Sequence, residues 1–428
     1  MMHNALTDPA NHRILCLRST RKDPRRILSM KKLFSVLLIF LLAFSVIGCS
    51  AQAEEHRIVA SFYPMYIFAM NVFDGIDEIT LESMAAPETG CLHDYQLLTS
   101  DMKALAKAQA LLVNGAGMES FLPGFRNVQV WEEGRKVPAR RSVRVRDLLS
   151  MTSGLPYGGN PASPSSVEVQ KIFEEIDEKL YREDSLSTVE IANRIGQCGL
   201  DFHPGDSWEY GVSADVLGAI VEIVSGKRFG EFLKEELLDP LGMEDTGFYV
   251  PKEKQERLAC VYEKRGVELK LYKGDHLGIM NAQKKKPAFE SGGAGMVSTL
   301  EDYSRFAAML LNGGEYGGKQ ILRPDTVNYM TGGKLLPWQQ EAMWKKWETL
   351  SGFGYGNLMR IMVEPGMAYH QGVKGEYGWD GWLGAYFCNI PSEKISILLS
   401  FQRAGTGTIG VTRKLRNLLT PGYIRGEG

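Results

Sequence analysis

A short apolar run near the start of the chain separates a leader from the residues that can form a folded body. Leu33 to Gly48 carry no charge and directly follow Lys31 and Lys32. A membrane-spanning helix needs about 20 apolar residues, whereas a basic stretch followed by a shorter apolar run is typical of an export signal. We therefore expect the fold to be built from the residues that follow this run.

The end of the apolar run, Val46-Ile47-Gly48-Cys49, resembles the bacterial lipobox, in which a cysteine thiol is lipidated and becomes the mature N-terminus. The resemblance implies lipidation at Cys49 and an exported protein, lipid-anchored at the outer face of the bacterial membrane. A plain signal peptide, or a buried helix with a chance cysteine, is the alternative. Residues 1–29 are interpreted as an upstream extension, and residues 30–49 as the signal, with Met30 the more natural start.

Charge is unevenly distributed along the chain. Residues 1–48 carry eight Lys or Arg and two Asp or Glu, so the net charge of −2 leaves −8 for the remaining residues. A mildly acidic body has no strongly basic surface, which makes nucleic acid an unlikely partner class. With 44% hydrophobic residues, the chain can bury the cores of two or three domains. The cysteines after Cys49 match no metal-binding spacing.

Residues 50–121 alternate between predicted strands and helices. Strands are expected at 57–62, 78–84 and 110–113, and helices at 65–73 and 101–108. This order is typical of a parallel sheet. The stretches IVASFYPMYIFAMNV, APETGCLHDYQLLTSDM and ALAKAQALLVNGAGMESFL resemble the start of the zinc/manganese-binding lipoproteins of ABC transporters.

That resemblance makes His93 the counterpart of the first metal ligand in these lipoproteins. Imidazole nitrogen suits zinc, but a zinc site needs three or four protein ligands. The resemblance covers about 70 residues and no second ligand follows in register, so an exposed loop histidine is the favoured interpretation of His93. Under the alternative in which the segment does bind zinc, an ABC transporter would be the partner.

The pattern changes at Leu122. The stretches RVRDLLSMTSGLPYGG, HPGDSWEYGVSADVLGAIVEIVSGKRFGEFLKEELLDPLGMEDTGFYVP and ESGGAGMVSTLEDYSRFAAMLLNGGEYGGKQILRPDTV resemble the serine β-lactamase-related family, which includes class C β-lactamases, D-alanyl-peptidases and esterases. Residues 122–428 are therefore expected to form an α/β (α+β) fold with an antiparallel sheet, helices against it and a helical region. Around residues 391–394 the pattern predicts a hairpin, and near 300 it predicts a capped helix.

The family implies a catalytic tyrosine, found here as Tyr210 in Trp208-Glu209-Tyr210-Gly211-Val212-Ser213. Its phenol would help to move the proton of the nucleophile. β-Lactamases usually have Asn where this chain has Val212, and Ser213 could substitute for it. A tyrosine that simply packs before a helix is the alternative.

The family also implies a strand motif that faces the nucleophile and holds the substrate. Its counterpart here is Trp379-Asp380-Gly381, which resembles the Trp-x-Gly of esterase-like members. Gly381 would let a substrate approach the strand closely. A tight turn leading into an edge strand is the alternative.

A Ser-x-x-Lys helix is the family's third requirement, because one helical turn brings the lysine amine to the serine hydroxyl. Ser100-Asp101-Met102-Lys103 has this form and stands 47 residues before Asp147. The same form occurs twice in the leader, and the transporter-like resemblance runs through Ser100, where the residue is expected to cap a helix. The usual nucleophile helix and the first strands of the fold thus have no clear counterpart.

These observations predict a chain that joins a lipoprotein signal, a partial metal-binding βαβ segment and a serine hydrolase truncated at its N-terminus. A recombined gene and a misassembled one are both consistent with the junction at Leu122. The expected function is an exported hydrolase of esters, β-lactams or D-alanyl peptides, catalytically impaired and needing no cofactor. A zinc-binding transporter component, and a non-catalytic binder of peptides or glycans, are the alternatives.

Overall fold

A computed structural model of the chain describes residues 56–61, 66–67, 69–70, 73, 76, 78–84, 98–112, 122–179, 182–274, 286–404 and 409–419. The chain divides into two compact units. The first comprises Met1–His56 and Gly75–Thr80, and only five of its residues are described. The second comprises Arg57–Asp74 and Leu81–Gly428, and it holds the candidate active site described below.

The first described segment forms a small three-stranded sheet in the order β2-β1-β3. Its strands are β1 (His56–Ala60), β2 (Ile79–Ser83) and β3 (Ala110–Leu112), and helix α1 (Thr99–Lys107) precedes β3. Strands β1 and β3 are parallel. The alternation predicted from the sequence is therefore confirmed for these four elements. Within the predicted helix at 65–73, residues 66–67 and 69–70 are described and are helical.

Nine further helices follow within the described ranges. They are α2 (Val145–Leu149), α3 (Pro164–Lys179), α4 (Thr188–Gln197), α5 (Ser213–Ser225), α6 (Phe229–Leu233), α7 (Leu300–Leu311), α8 (Pro324–Met330), α9 (Pro337–Lys346) and α10 (Ile409–Leu419). Helix α6 continues through a π-helical turn, Lys234–Leu238, into a short α-helical end at Asp239–Leu241.

The remaining strands form four sheets. They are β4 (Gln129–Glu132), β5 (Arg135–Pro138), β6 (Tyr262–Arg265), β7 (Glu268–Leu271), β8 (Glu315–Tyr316), β9 (Lys319–Gln320), β10 (Phe353–Gly356), β11 (Met359–Met362), β12 (Tyr377–Asp380), β13 (Tyr386–Ile390), β14 (Ile395–Leu399) and β15 (Arg403–Ala404). The largest sheet is antiparallel with the order β10-β11-β12-β13-β14, and two-stranded sheets join β4 to β5 and β8 to β9. The last sheet has the order β15-β6-β7.

The predicted C-terminal hairpin is confirmed, with β13 and β14 joined through Pro391–Glu393. Strand β1 pairs with β2 and β3 in a separate sheet and not with this large sheet. Among the described residues, β14 pairs on one side only. Its outer backbone groups form a sheet edge of the kind that proteins usually cover.

The described residues of the second unit form four apolar clusters, of which two are the largest. One lies among the helices and includes Leu155, Ile191, Ile195 and Val216. The other lies between α7 and the large sheet, where the Asn389 side chain donates to the Ala307 carbonyl over 2.8 Å. Helix α7 begins where the sequence predicts a cap, since the Thr299 hydroxyl accepts from the backbone N–H of Asp302.

The described residues include no helix that is both long and apolar enough to cross a membrane.

Candidate active site

Tyr210 lies on the segment that enters helix α5, and close backbone packing fixes its position. The N–H of Glu209 donates to the carbonyl of Met151 over 2.9 Å. A Cβ at Gly211 would stand 2.0 Å from the carbonyl oxygen of Leu155, so only glycine fits there. The segment between Trp208 and α5 is thus held against the loop 151–156, and the Tyr210 ring projects from a rigid base.

The Tyr210 hydroxyl oxygen accepts a hydrogen bond from the indole Nε1–H of Trp379 over 3.0 Å. The Tyr157 hydroxyl is a second polar neighbour of the phenol. Burial raises the pKa of Tyr210 to about 12, even though Trp379 and Tyr157 both favour the phenolate. Tyr210 is therefore a neutral phenol at neutral pH, and it has its own proton to donate.

Aromatic rings surround the phenol of Tyr210. Its ring centroid lies 5.1 Å from that of Trp379, 5.2 Å from that of Trp347 and 5.6 Å from that of Tyr157. Tyr355 packs edge-on to Trp379, and its buried hydroxyl has no hydrogen-bond partner among the described residues. Such a wall provides apolar contact area together with a few fixed polar groups, as ligand sites commonly do.

Trp379 stands on β12, an interior strand of the large sheet, rather than in a turn before an edge strand. Trp379 pairs with Phe387 of β13, and the turn follows at Gly381, whose N–H donates to the carbonyl of Ala385 over 2.7 Å. A Cβ at Gly381 would make only ordinary contacts with Ala385. The protein itself therefore does not require glycine at position 381.

Asp380, the next residue on β12, forms a partly buried ion pair with Arg360 of β11. The Arg360 guanidinium also lies 5.6 Å from the Trp379 ring centroid, so Asp380 has a cationic partner within the protein. Both residues line a cavity of about 60 Å³, which also includes Trp347, Trp379 and Tyr386. The cavity has room for a small chemical group beside the aromatic wall.

Ser213 is the first residue of α5, and it is fully buried. Its hydroxyl lies 2.8 Å from that of Ser153, so the two serines link the loop after α2 to the start of α5. None of the hydrogen bonds that the structure describes joins Ser213 to Tyr210. Ser213 therefore contacts the loop 151–156 and not the Tyr210 hydroxyl.

Helix α5 also carries Asp215, a buried carboxyl that the sequence analysis did not single out. Its Oδ1 accepts from the Ser291 hydroxyl over 2.5 Å and from the N–H of Gly293 over 3.3 Å. A Cβ at Gly293 would stand 2.8 Å from the Tyr157 hydroxyl and 3.2 Å from Asp215 Oδ2. Asp215, Tyr157 and the 291–293 loop therefore form one buried group next to Tyr210.

Burial also changes the acid–base properties of this group. Burial raises the pKa of Asp215 to about 6, although Ser291 and Gly293 hydrogen-bond its charged form. The pKa of Tyr157 is raised well above its ordinary value by burial, and next by the neighbouring Tyr210 and Asp215. A carboxyl within an otherwise apolar helical stripe, five residues after Tyr210, was the sequence signal for this group.

Ser100 and Lys103 lie on helix α1, and both side chains are exposed. The helix begins at Thr99, and Leu98 is the cap residue, its N–H donating to Asp101 Oδ2 over 2.7 Å. The expectation that Ser100 caps this helix is therefore wrong. No described contact joins Ser100 or Lys103 to Tyr210 or Trp379.

Cys49 and His93 lie outside the described residues. The described residues contain no group of three or more His, Cys, Asp or Glu side chains that could hold a metal ion. Cys198, Cys260 and Cys388, the cysteines within the described ranges, are free thiols.

Two protein families match parts of this chain. The family described as Beta-lactamase matches residues 118–420, well over half of the chain. The chain belongs to the β-lactamase family. A second family, described as "Zinc-uptake complex component A periplasmic", matches residues 58–154. Both resemblances seen in the sequence are thereby confirmed, as is the expected fold class.

Known proteins similar to this chain agree with the family. Protein Rv1367c of Mycobacterium tuberculosis is 30% identical over 271 residues, which are 63% of this chain and 64% of that protein. Esterase EstB of Burkholderia gladioli is 28% identical over 282 residues, or 63% of this chain and 67% of the esterase. The chain thus spans about two thirds of the length of these relatives.

A solved structure shares the fold. The simvastatin synthase LovD from Aspergillus terreus superimposes with a TM-score of 0.56 at 20% sequence identity, covering 72% of this chain and 77% of the synthase. With the family match, this makes the second unit a β-lactamase-fold member of a serine hydrolase family.

Proposed function

We propose that this protein is an exported, esterase-type member of the β-lactamase family that binds small esters at Tyr210 and Trp379 but does not form an acyl-enzyme. The observation that carries the proposal is the hydrogen bond from Trp379 Nε1 to the Tyr210 hydroxyl. This bond connects the helical region to the large sheet, and aromatic rings surround it.

The binding part of the proposal rests on the free proton of Tyr210. Its oxygen already accepts from Trp379, so its own O–H can donate to a ligand oxygen. A phenol with a pKa of about 12 donates at neutral pH without ionising. An ester carbonyl or ether oxygen suits such a donor, and the rings of Trp347 and Trp379 suit its apolar groups.

The inactive part of the proposal rests on the surroundings of the same phenol. Nucleophilic catalysis needs a hydroxyl within hydrogen-bond reach of its base, about 2.6–3.2 Å. The polar partners described for the Tyr210 hydroxyl are the Trp379 indole and the Tyr157 phenol, and neither is a serine or a lysine. Ser100 and Lys103 sit on an exposed helix, where water competes with any attack on an ester.

Substrate class follows from the same residues. Val212 follows Tyr210 at the position where β-lactamases usually have Asn. Its side chain is apolar and completely buried, so it offers no polar group to a β-lactam amide. EstB, a curated relative, is named as an esterase. Esters are therefore the favoured ligand class over β-lactams and D-alanyl peptides.

Binding and turnover can be measured separately to test the proposal. Short-chain p-nitrophenyl esters should quench the tryptophan fluorescence of the protein in a saturable way, without release of p-nitrophenol above the buffer rate. Tyr210→Phe should raise the dissociation constant obtained from the quenching about tenfold. That change is equivalent to one hydrogen bond of roughly 1.4 kcal/mol. Tyr329→Phe, which changes an exposed tyrosine, is the matched control. Saturable hydrolysis by the unmodified protein, or quenching that Tyr210→Phe leaves unchanged, would contradict the proposal.

The match to the zinc-uptake family favours a second candidate function, which is metal delivery to a transporter. His93 is the ligand that this candidate would use, and it would need further ligands from residues outside the described ranges. A zinc titration separates the two candidates, because ester binding at Tyr210 requires no metal.

A further inference from the structure

The hairpin formed by β6 and β7 exposes an unusual amount of apolar side chain. Val267, at the turn that joins the strands, is 98% exposed, while Leu269 and Leu271 are 60% and 53% exposed. The register places Tyr262 opposite Leu271 and Lys264 opposite Leu269. Because alternate residues share a face, Tyr262, Leu269 and Leu271 form one apolar stripe that leads to Val267.

Charged residues around the hairpin carry a net positive charge. On the opposite face, Arg265 pairs with Glu263 and Lys270 pairs with Glu268. Lys264 and Lys273 have no carboxylate partner among the ion pairs of the described residues. The hairpin therefore combines an apolar tip with two uncompensated cations.

From this combination we propose that the β6–β7 hairpin docks on an anionic phospholipid surface, with Val267 inserted between the headgroups and Lys264 and Lys273 in contact with lipid phosphates. A protruding two-residue turn is convex and has no pocket in which a protein side chain could anchor. A fluid interface, in contrast, accepts a convex apolar tip, and lysine side chains extend readily to its headgroups.

The hairpin is also joined to the edge of the candidate active site. Tyr272, just after β7, packs edge-on against Trp382, with ring centroids 5.8 Å apart. Trp382 directly follows Gly381. Strand β15 pairs with β6, and the N–H of Arg403 in β15 donates to the carbonyl of Leu383 over 2.8 Å. Docking would thus hold the Gly381 turn near the lipid surface, whether or not the chain hydrolyses esters.

Hydrogen–deuterium exchange of the full chain tests the proposal at the resolution of single peptides. The chain is mixed with phosphatidylcholine vesicles, or with vesicles in which roughly one third of the lipid is phosphatidylglycerol. Amide exchange in the peptide spanning 262–272 should slow several-fold with the anionic vesicles but not with the neutral ones. The peptide spanning the β8–β9 hairpin, residues 315–320, should be unaffected and serves as the internal control.

Two variants of matched charge make the test specific. Lys264→Glu with Lys273→Glu should abolish the slowing on anionic vesicles. Lys252→Glu with Lys319→Glu makes the same charge change at exposed lysines elsewhere and should preserve it. The proposal is overturned if the 262–272 peptide exchanges at its free rate while the chain co-sediments with vesicles. Equal slowing on neutral vesicles, or slowing that survives the first variant, overturns it as well.

Discussion

The indole Nε1–H of Trp379 donates to the hydroxyl of Tyr210 over 3.0 Å, across a sequence separation of 169 residues. One residue belongs to the large sheet and the other to the entry of α5, so this bond links the two halves of the hydrolase fold. Both groups are partly buried, and loss of either partner leaves the other without this hydrogen bond.

A double-mutant cycle should measure this link. Trp379→Phe and Tyr210→Phe should each lower the free energy of unfolding by about 1–3 kcal/mol, and the two effects should couple by about 1 kcal/mol. Urea denaturation of the two single variants and the double variant provides the values. Trp382→Phe changes a partly exposed tryptophan and should cost less than about 0.5 kcal/mol. Strict additivity of the pair would mean that the bond contributes nothing.

Asp215 should impose a pH dependence on stability. Its pKa is raised to about 6 in the folded protein, against 3.8 ordinarily, so the folded state binds a proton that the unfolded state has released. The contribution of this group to stability is therefore complete below about pH 4 and is lost as the pH rises through 6. A shift of about two pKa units corresponds to about 3 kcal/mol.

Urea midpoints of the unmodified protein and of Asp215→Asn at about pH 4, 6 and 8 test this sign. The variant keeps an oxygen acceptor for Ser291 and should gain stability relative to the unmodified protein as the pH rises. Asp206→Asn, at a solvent-exposed ion pair with Arg140, should show no such gain. A constant difference across the pH range would show that Asp215 is not the group responsible.

Lipidation should occur at Cys49. The basic residues Lys31 and Lys32, the apolar run and the Val46–Cys49 site predict it. In a bacterial host the protein should partition into detergent and incorporate a labelled fatty acid. Cys49→Ala should remove the label, whereas Cys260→Ala, at an exposed thiol, should retain it. A label that persists without Cys49 would refute the assignment.

Zinc binding should be weak. His93 stands without further ligands in register, and tight sites need three or four. Titration followed by calorimetry should detect no site tighter than about micromolar. A nanomolar site that disappears in His93→Ala would instead favour the transporter function.

The sequence identified elements and motifs that depend on local signals. The cap at Thr299, the hairpin around Pro391 and the Tyr210 segment were all found in this way. The strand that carries Trp379 was predicted only from the family resemblance, because glycines at 378 and 381 obscure its pattern and its strand character comes from pairing with β11 and β13.

The buried partners of the site were also missed, for a related reason. Asp215, Ser291 and Tyr157 are 58 to 134 positions apart in pairwise separation, and only the folded chain brings them together. Likewise, the strand pattern near residue 57 predicts a parallel sheet but does not specify which strands pair. The placement of β1 in its own small sheet depends on contacts that periodicity does not encode.

Covalent labelling tests the central claim most directly. The purified full chain is incubated with excess fluorophosphonate, in parallel with an active serine esterase, and the intact mass of each protein is measured. We predict a mass increase of one adduct for the esterase and none for this protein, because Tyr210 has an indole and a phenol as its hydrogen-bond partners and Ser100 lies exposed on α1. A stoichiometric adduct on Ser100 that is absent in Ser100→Ala and reduced in Tyr210→Phe would contradict the account.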